Sequence, residues 1–138
     1  MKTHQDSDLL FAYGTLIQEE REPMADFLRK NGAYLARGYF NGKLYEIDGY
    51  PGARVSNDSE HKVYGSIFKL GENKEEVLLE LDRYEGVTGE GEHKNEYTRE
   101  LVEIHTPRKN YHCWVYLYNW DIEEKKRITS GDYLEWVM

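Results

Sequence analysis

The apolar residues of this chain fall in short runs of strand length, separated by glycine and polar residues. The first run, residues 9–13, is continuously apolar, which is typical of a strand covered on both faces. Asn41-Gly42 separates two further runs and predicts a β-hairpin, because both residues of such a turn need positive φ. The strand-like runs are residues 9–13, 35–40, 43–47, 63–70, 98–105 and 112–118. So many short strands restrict the chain to a fold built on a sheet.

The clearest helix signals follow the fourth of these runs. Asn73 and Glu76 have the spacing of a capping box. Gly86 supplies the left-handed residue that commonly follows a last helical turn. The apolar stripe between these ends consists of Val77, Leu78, Leu81 and Tyr84.

A second helix is predicted between the first two strand runs. Pro23 suits its opening turn, and Asn31-Gly32 ends it. Short strands with two helices predict an α+β fold in which the sheet curls into a small barrel. We expect residues 1–138 to form a single domain.

Composition excludes several classes of protein. The net charge of −8 argues against a nucleic-acid-binding face, which needs basic residues to displace counterions. No apolar run approaches the length of a membrane-spanning helix, and residues 1–8 are too polar for a signal peptide. The single cysteine, Cys113, cannot form an internal disulfide. We therefore expect a cytoplasmic protein without nucleic-acid or membrane partners, with Cys113 as a core thiol.

Common catalytic patterns are missing from the sequence. His112 and Cys113 cannot form a dyad, because neighbours on a strand point to opposite faces. No serine stands in a nucleophile elbow. The histidines lack metal-ligand spacing, so we expect no metal site. They are His4, His61, His93, His105 and His112.

A carboxylate at the end of the helix that Gly86 terminates breaks a local rule. Glu85 is its last residue, in "LDRYEG", where the helix dipole is negative. The dipole and partial burial beside Leu81 and Tyr84 are expected to raise the pKa of this carboxyl. Residues that break local rules are often functional. Taken alone, however, a solvated Glu85 paired with Arg83 or a distant arginine is the commoner case.

The end of the first strand is a second candidate site. In "YGTL", the backbone N–H groups of Gly14, Thr15 and Leu16 could hold a carboxylate or an oxyanion. From these residues alone, a simple turn at Gly14 is the favoured interpretation. The glycine spacing and lysine of a phosphate-binding loop are absent.

Tyr97 and Arg99 lie two residues apart on one face of a predicted strand. Arg99 could clamp a carboxylate with both ends of its guanidinium, and Tyr97 could donate a hydrogen bond. Taken alone, an arginine paired with a surface acid is the favoured alternative. Asp82, one turn before Glu85, is predicted to be a structural partner that bonds a neighbouring loop.

The order of the motifs resembles that of the γ-glutamylcyclotransferase-like family, including its γ-glutamylamine cyclotransferase branch. The resemblance runs from about residue 10 to residue 133 and implies a small mixed β-barrel with flanking helices. It also implies a transferase or lyase that needs no cofactor. In that reaction the α-amine of a γ-glutamyl group attacks its own γ-carbonyl and releases 5-oxoproline. The motifs are "YGTL", "GYPGA", "VYGSIF", "LDRYEG", "YTR", "WVYLYN" and "ITSGDY".

The resemblance also implies a role for each matching residue. The glutamate of the family's LDxxEG motif is its general acid and base, which is Glu85 here, and this reverses the interpretation of Glu85 taken alone. The Y-G-x-L loop binds substrate through its backbone, small residues near the second glycine motif allow close approach, and two tyrosines form walls. The substrate-binding residues expected on this basis are Tyr13, Gly14, Thr15, Leu16, Gly52, Ala53, Tyr97 and Tyr118.

The polar loop of residues 87–96 is long and acidic, with Glu90, Glu92 and Glu96. It could cover the site, and an acidic rim would favour a substrate whose leaving side is cationic, such as a γ-glutamyl-ε-lysine fragment.

Three functions stay open after the sequence alone. The first is a cyclotransferase acting on a small γ-glutamyl compound, as a monomer or weak homodimer. The second is a non-catalytic small-molecule-binding barrel of the same fold. The third is an enzyme that removes a γ-glutamyl group from another acyl-amine intermediate.

Overall fold

The computed structural model describes residues 6–14, 23–47, 49–87 and 95–137. Within these ranges the chain forms a seven-stranded sheet and three helices, and the α+β prediction is confirmed. In chain order the elements are β1 (Leu9–Ala12), α1 (Pro23–Asn31), β2 (Gly32–Glu46), β3 (Pro51–Val55), β4 (Lys62–Leu70), α2 (Lys74–Glu85), β5 (Tyr97–His105), β6 (Asn110–Tyr118), β7 (Lys126–Arg127) and α3 (Tyr133–Val137).

Five of the strands close into a barrel. Their order is β2-β4-β1-β6-β5, and β5 returns to β2 where Tyr39 lies opposite His105. The barrel is mixed, because β1 runs antiparallel to β4 and parallel to β6. Closure leaves these five strands without a free edge. The predicted small mixed β-barrel with flanking helices is confirmed.

Strand β1 is covered on both faces, as its apolar run predicts. Leu10 and Ala12 belong to the outer cluster, which packs the barrel against α1 and α2. Phe11 and Tyr13 belong to the inner cluster, which is drawn mainly from barrel strands. Alternate positions of one strand therefore serve two separate cores.

The hairpin predicted at Asn41-Gly42 is wrong. Both residues lie inside β2, a continuous strand of 15 residues. Asn41 is the last residue of β2 paired with β4, and Gly42 is the first paired with β3. A Cβ on Gly42 would lie 2.5 Å from the Arg54 carbonyl oxygen and 2.5 Å from the Phe40 ring. The glycine permits close approach where the strand changes partners, which is a known use of glycine inside strands.

The hairpin lies instead between β2 and β3. In its turn the Ile47 N–H donates to the Tyr50 carbonyl at 2.8 Å, and Gly49 has a positive φ of 92°. Strand β3 begins at Pro51. This turn brings Tyr50 and Pro51 to the end of β1.

Helix α2 begins at Lys74 and ends at Glu85, close to its predicted bounds. Gly86 has a φ of 80° and donates its N–H to the Arg83 carbonyl, so the predicted left-handed ending is confirmed. The predicted capping box is wrong. The Asn73 side chain makes no cap hydrogen bond, and its Nδ2 donates to Asn31 Oδ1 at 3.0 Å, which joins α2 to the end of α1.

Val77, Leu78 and Leu81 form the buried stripe of α2. Tyr84, predicted to continue it, is 45% exposed. Tyr84 lines the cavity described below.

Helix α1 begins at Pro23 and ends at Asn31, as predicted. Cys113 is fully buried, and burial raises the pKa of its thiol to about 12. His112 beside it is exposed, as expected for neighbours on a strand. None of the helices in the described ranges has the length and apolar character needed to cross a membrane.

Candidate active site

A cavity of about 490 Å³ lies where the end of β1, the β2–β3 turn, the end of α2, the start of β5 and strand β6 meet. This volume is within the range of pockets that hold small molecules. The described residues that line it are Phe11, Ala12, Tyr13, Gly14, Gly49, Tyr50, Pro51, Tyr84, Glu85, Glu96, Tyr97 and Tyr116. Aromatic rings and two carboxylates thus dominate the wall.

Glu85 lies in this wall, at the last residue of α2. The left-handed Gly86 turns the chain away directly after it. The conflict between a carboxylate and the helix dipole marked this position in the sequence, and the motif resemblance gave it the catalytic interpretation. The side chain is partly buried.

Asp82 fixes the last turn of α2 to the barrel. Its carboxylate accepts hydrogen bonds from Arg99 Nε at 2.7 Å and Nη2 at 3.2 Å, and from the Tyr116 hydroxyl at 2.7 Å. The structural interpretation of Asp82 is confirmed, although its partners are strands β5 and β6 and not a loop. Arg99 uses its guanidinium on the protein's own carboxylate and lies 4.5 Å from the Trp114 ring.

Tyr13, at the end of β1, is buried and anchored from two sides. Its hydroxyl donates to the Tyr116 carbonyl at 2.6 Å and accepts from the Ala53 N–H at 3.1 Å. Gly14 follows in the cavity wall, and a Cβ there would overlap the Pro51 ring. The end of "LFAYG" therefore needs glycine so that the β2–β3 turn can pack against it.

Thr15 and Leu16, the remaining residues of the Y-G-x-L loop, lie outside the described residues. Their expected contact with substrate stays a prediction.

Tyr97 opens β5 and lies in the cavity wall. Its hydroxyl donates to the Pro51 carbonyl at 2.6 Å, and its ring meets the edge of Tyr118 with 5.5 Å between centroids. Among the described lining residues, Gly52, Ala53 and Tyr118 do not occur. They lie behind the wall: a Cβ on Gly52 would come within 2.8 Å of the Tyr118 ring, and Ala53 anchors Tyr13.

The phenols around Glu85 are held protonated. Burial raises the pKa of Tyr13, Tyr97 and Tyr116 well above the ordinary tyrosine value. The Glu85 carboxylate raises the pKa of all three hydroxyls further, because it repels the negative charge that each phenolate would carry. One carboxylate therefore lies within electrostatic range of three buried hydroxyls.

Sequence reasoning missed Tyr50 as a site residue and placed Glu96 only in an acidic rim. Both line the cavity, and the Tyr50 hydroxyl donates to the Glu96 carboxylate. The two residues are 46 positions apart, and no local pattern joins them. The other members of the expected rim, Glu90 and Glu92, lie outside the described residues.

No group of three or more His, Cys, Asp or Glu side chains within the described ranges is arranged to hold a metal ion. Among the described lining residues two are carboxylates, fewer than the three protein ligands usual in catalytic zinc sites.

A family model described as "Gamma-glutamyl cyclotransferase, AIG2-like" matches residues 10–135. The gamma-glutamylcyclotransferase family protein YtfP of Escherichia coli K12 is 32% identical over 95 residues, or 69% of this chain and 70% of that protein. The provisionally named gamma-glutamylcyclotransferase BH1612 of Halalkalibacterium halodurans is 33% identical over 102 residues, or 72% and 85%.

Two solved structures share the fold over nearly the whole chain. The solution structure of YtfP from Escherichia coli has a TM-score of 0.62 at 27% identity and covers 94% of this chain and 99% of that one. The crystal structure of an aig2-like protein from Mus musculus has a TM-score of 0.58 at 18% identity and covers 94% and 96%.

Proposed function

This chain belongs to the gamma-glutamyl cyclotransferase, AIG2-like family, and we propose that it cyclises a small γ-glutamyl amine or γ-glutamyl amino acid. In this intramolecular aminolysis the substrate α-nitrogen forms a bond to the γ-carbonyl carbon. The bond from that carbon to the leaving nitrogen breaks. The products are 5-oxoproline and the free amine, and no water is consumed.

The observation that carries the proposal is the position of Glu85. Its carboxylate stands in the wall of a cavity that suits a small molecule, on a helix end that Asp82 ties to strands β5 and β6. A proton-transfer group works best when a rigid element holds it at the substrate. Both the family membership and this geometry support the assignment of Glu85 as general acid and base.

Glu85 would move one proton twice. The substrate α-ammonium cannot attack until it loses a proton, and the Glu85 carboxylate accepts that proton. As the ring closes, the attacking nitrogen gives up a second proton, and the protonated carboxyl returns the first proton to the leaving nitrogen. The second proton ends on the released amine, which leaves as an ammonium. Acid–base assistance of this kind is worth about 10²–10⁴ in rate.

The cavity has a second task, which is to fold the substrate. The attacking amine and the carbonyl belong to one molecule, so the enzyme needs only to hold them in attack geometry. The tyrosine rings provide shaped walls, and backbone N–H groups at Gly14, Thr15 and Leu16 are the proposed donors to the substrate α-carboxylate or the developing oxyanion. Pro51 packing on Gly14 would hold that loop in place.

The test is a product assay on a panel of γ-glutamyl compounds. The native protein is incubated with γ-glutamyl amino acids, γ-glutamyl-ε-lysine, simple γ-glutamyl amines and glutathione, beside heat-denatured protein, and products are identified by mass spectrometry. We expect 5-oxoproline from at least one compound. Free glutamate instead would indicate hydrolysis and contradict cyclisation. Binding without any product would favour the non-catalytic barrel.

A further inference from the structure

We propose that Glu96, held by Tyr50, selects γ-glutamyl compounds whose leaving amine carries a second positive charge. The preferred substrates are thus mono-γ-glutamyl derivatives of diamines and similar cations. The inference rests on the proposed function and adds a specificity-determining residue and a substrate class to it.

Glu96 is presented to the cavity by ordered backbone. Its carbonyl accepts a hydrogen bond of 2.7 Å from the Asn119 N–H. Asn119 Nδ2 donates to the carbonyl of Asn95 at 3.0 Å, and Asn95 is itself buried. The Tyr50 hydroxyl donates to Glu96 Oε2. This side chain is therefore fixed from both its backbone and its tip, as a selective contact requires.

The charges of the cavity favour a cationic ligand. Its described lining residues include two carboxylates and no lysine, arginine or histidine. The hydroxyls of Tyr13, Tyr97 and Tyr116 donate to protein acceptors, so their protons are engaged within the protein. Tyrosine faces also attract cations. A ligand with positive charge would be stabilised by both features.

The chemistry of the reaction indicates which positively charged group of the substrate Glu96 would bind. A carboxylate that held the α-ammonium without accepting its proton would favour the charged form, and only the uncharged amine attacks. Glu85 serves that nitrogen as its base. Glu96, a second carboxylate in the same cavity, suits a positive charge that need not react. In a γ-glutamyl amide such a charge is found on the leaving side.

Two compounds that differ at one group test the proposal. Mono-γ-glutamyl-1,4-diaminobutane ends in an ammonium, and γ-glutamyl-n-pentylamine has a methyl group in its place. The ratio of their kcat/KM values is measured for the native protein, Glu96→Gln and Glu103→Gln. Glu103 lies on β5, the strand that Glu96 directly precedes. It is exposed and accepts a hydrogen bond from Asn110 at the barrel surface, which makes it the matched control.

We expect the native protein and Glu103→Gln to favour the diamine compound about tenfold in kcat/KM, which is the effect of one partly buried hydrogen bond between charged groups. Glu96→Gln should lose most of that preference. Tyr50→Phe, which removes the hydroxyl at Oε2, lowers the ratio as well. The proposal would be overturned if Glu96→Gln left this ratio unchanged, including the case in which kcat/KM falls equally for both compounds.

Failure of the proposed function gives a different result. If the folded native protein releases 5-oxoproline from neither of these compounds nor from any compound of the panel, the cyclotransferase proposal fails. The same ratio is then measured as dissociation constants by calorimetry. Tighter binding of the diamine compound that Glu96→Gln removes would still support the selectivity. Equal binding of the two compounds would overturn it.

Discussion

The Tyr13 hydroxyl joins three strands at the edge of the cavity. It donates to the Tyr116 carbonyl of β6 and accepts from the Ala53 N–H of β3, while its own backbone continues β1. Tyr13→Phe would leave both backbone groups without this partner in a buried site. We expect the free energy of unfolding to fall by about 2 kcal/mol, measured by urea denaturation.

Tyr34→Phe is the matched control, because Tyr34 is 62% exposed and its ring contact with Phe68 survives the change. It should alter stability by less than about 0.5 kcal/mol. Equal effects of the two variants would show that the Tyr13 hydroxyl does not stabilise the native state.

At the residue scale, the conflict between a carboxylate and the helix dipole drew attention to Glu85, but taken alone it left a solvated side chain as the commoner case. The resemblance to a known family assigned the catalytic role to Glu85. Tyr50 and Glu96 break no rule where they stand. Their meeting depends on the β2–β3 turn and the start of β5, so local patterns could not reveal it.

At the scale of elements, the Asp82–Arg99 pair holds α2 to β5. The two side chains are 14% and 22% exposed. Another ion pair of α2, Glu80–Arg83, is 49% and 66% exposed. We expect Asp82→Asn to lower the free energy of unfolding by about 2 kcal/mol, because a largely buried charged pair loses one partner. Glu80→Gln should cost less than about 0.5 kcal/mol. Urea denaturation measures both variants. Similar losses of unfolding free energy in the two would contradict the conclusion that Asp82 holds α2 to β5.

Gly42 shows why one element was predicted wrongly. Asn-Gly usually marks a tight turn, but here the same glycine gives room where β2 passes from β4 to β3. A glycine required for close approach and one required for positive φ look the same in a sequence. The capping box failed for a similar reason, since Asn73 bonds Asn31 across two helices.

Gly42→Ala tests this assignment. The new Cβ would lie 2.5 Å from the Arg54 carbonyl oxygen, so we expect a loss of about 1–3 kcal/mol from overpacking. In Gly71→Ala, used as the control, the nearest contact would be 3.8 Å. That variant should be neutral or slightly stabilising. Thermal or urea unfolding measures both, and a harmless Gly42→Ala would contradict close packing at this position.

At the scale of the whole molecule, the sequence predicted a barrel but not how it closes. The runs of residues 9–13, 63–70, 98–105 and 112–118 correspond to β1, β4, β5 and β6, because their hydrophobic patterns are strong. Closure depends on the single pairing of Tyr39 with His105 between β2 and β5. That contact joins distant parts of the chain, and no local periodicity encodes it.

The buried thiol and phenol groups of the barrel predict a loss of stability at high pH. Burial raises the pKa of Cys113 to about 12 and raises those of Tyr13, Tyr97 and Tyr116 above the ordinary value. As pH rises through the unfolded pKa values, the unfolded chain releases protons that the native chain keeps, so the free energy of unfolding falls. We expect this fall to begin above about pH 9 and to steepen above about pH 10.

Urea denaturation at several pH values between 8 and 11 measures this slope. Tyr97→Phe removes one such group and should make the slope shallower by nearly one proton at the alkaline end. Tyr34→Phe, which changes an exposed phenol, should leave the slope unaltered. A native protein whose free energy of unfolding is constant through pH 11 would contradict the raised pKa values of these groups.

The central claim is that Glu85 transfers the proton that makes ring closure possible. The most direct test compares the initial rate of 5-oxoproline release at pH 7 for Glu85→Gln and Glu80→Gln, using the best γ-glutamyl compound of the panel. Both substitutions remove one carboxylate from α2, but only Glu85 lines the cavity. We expect native rates from Glu80→Gln and a loss of at least about 10²-fold in Glu85→Gln. A folded Glu85→Gln protein that keeps the native rate would contradict the assignment.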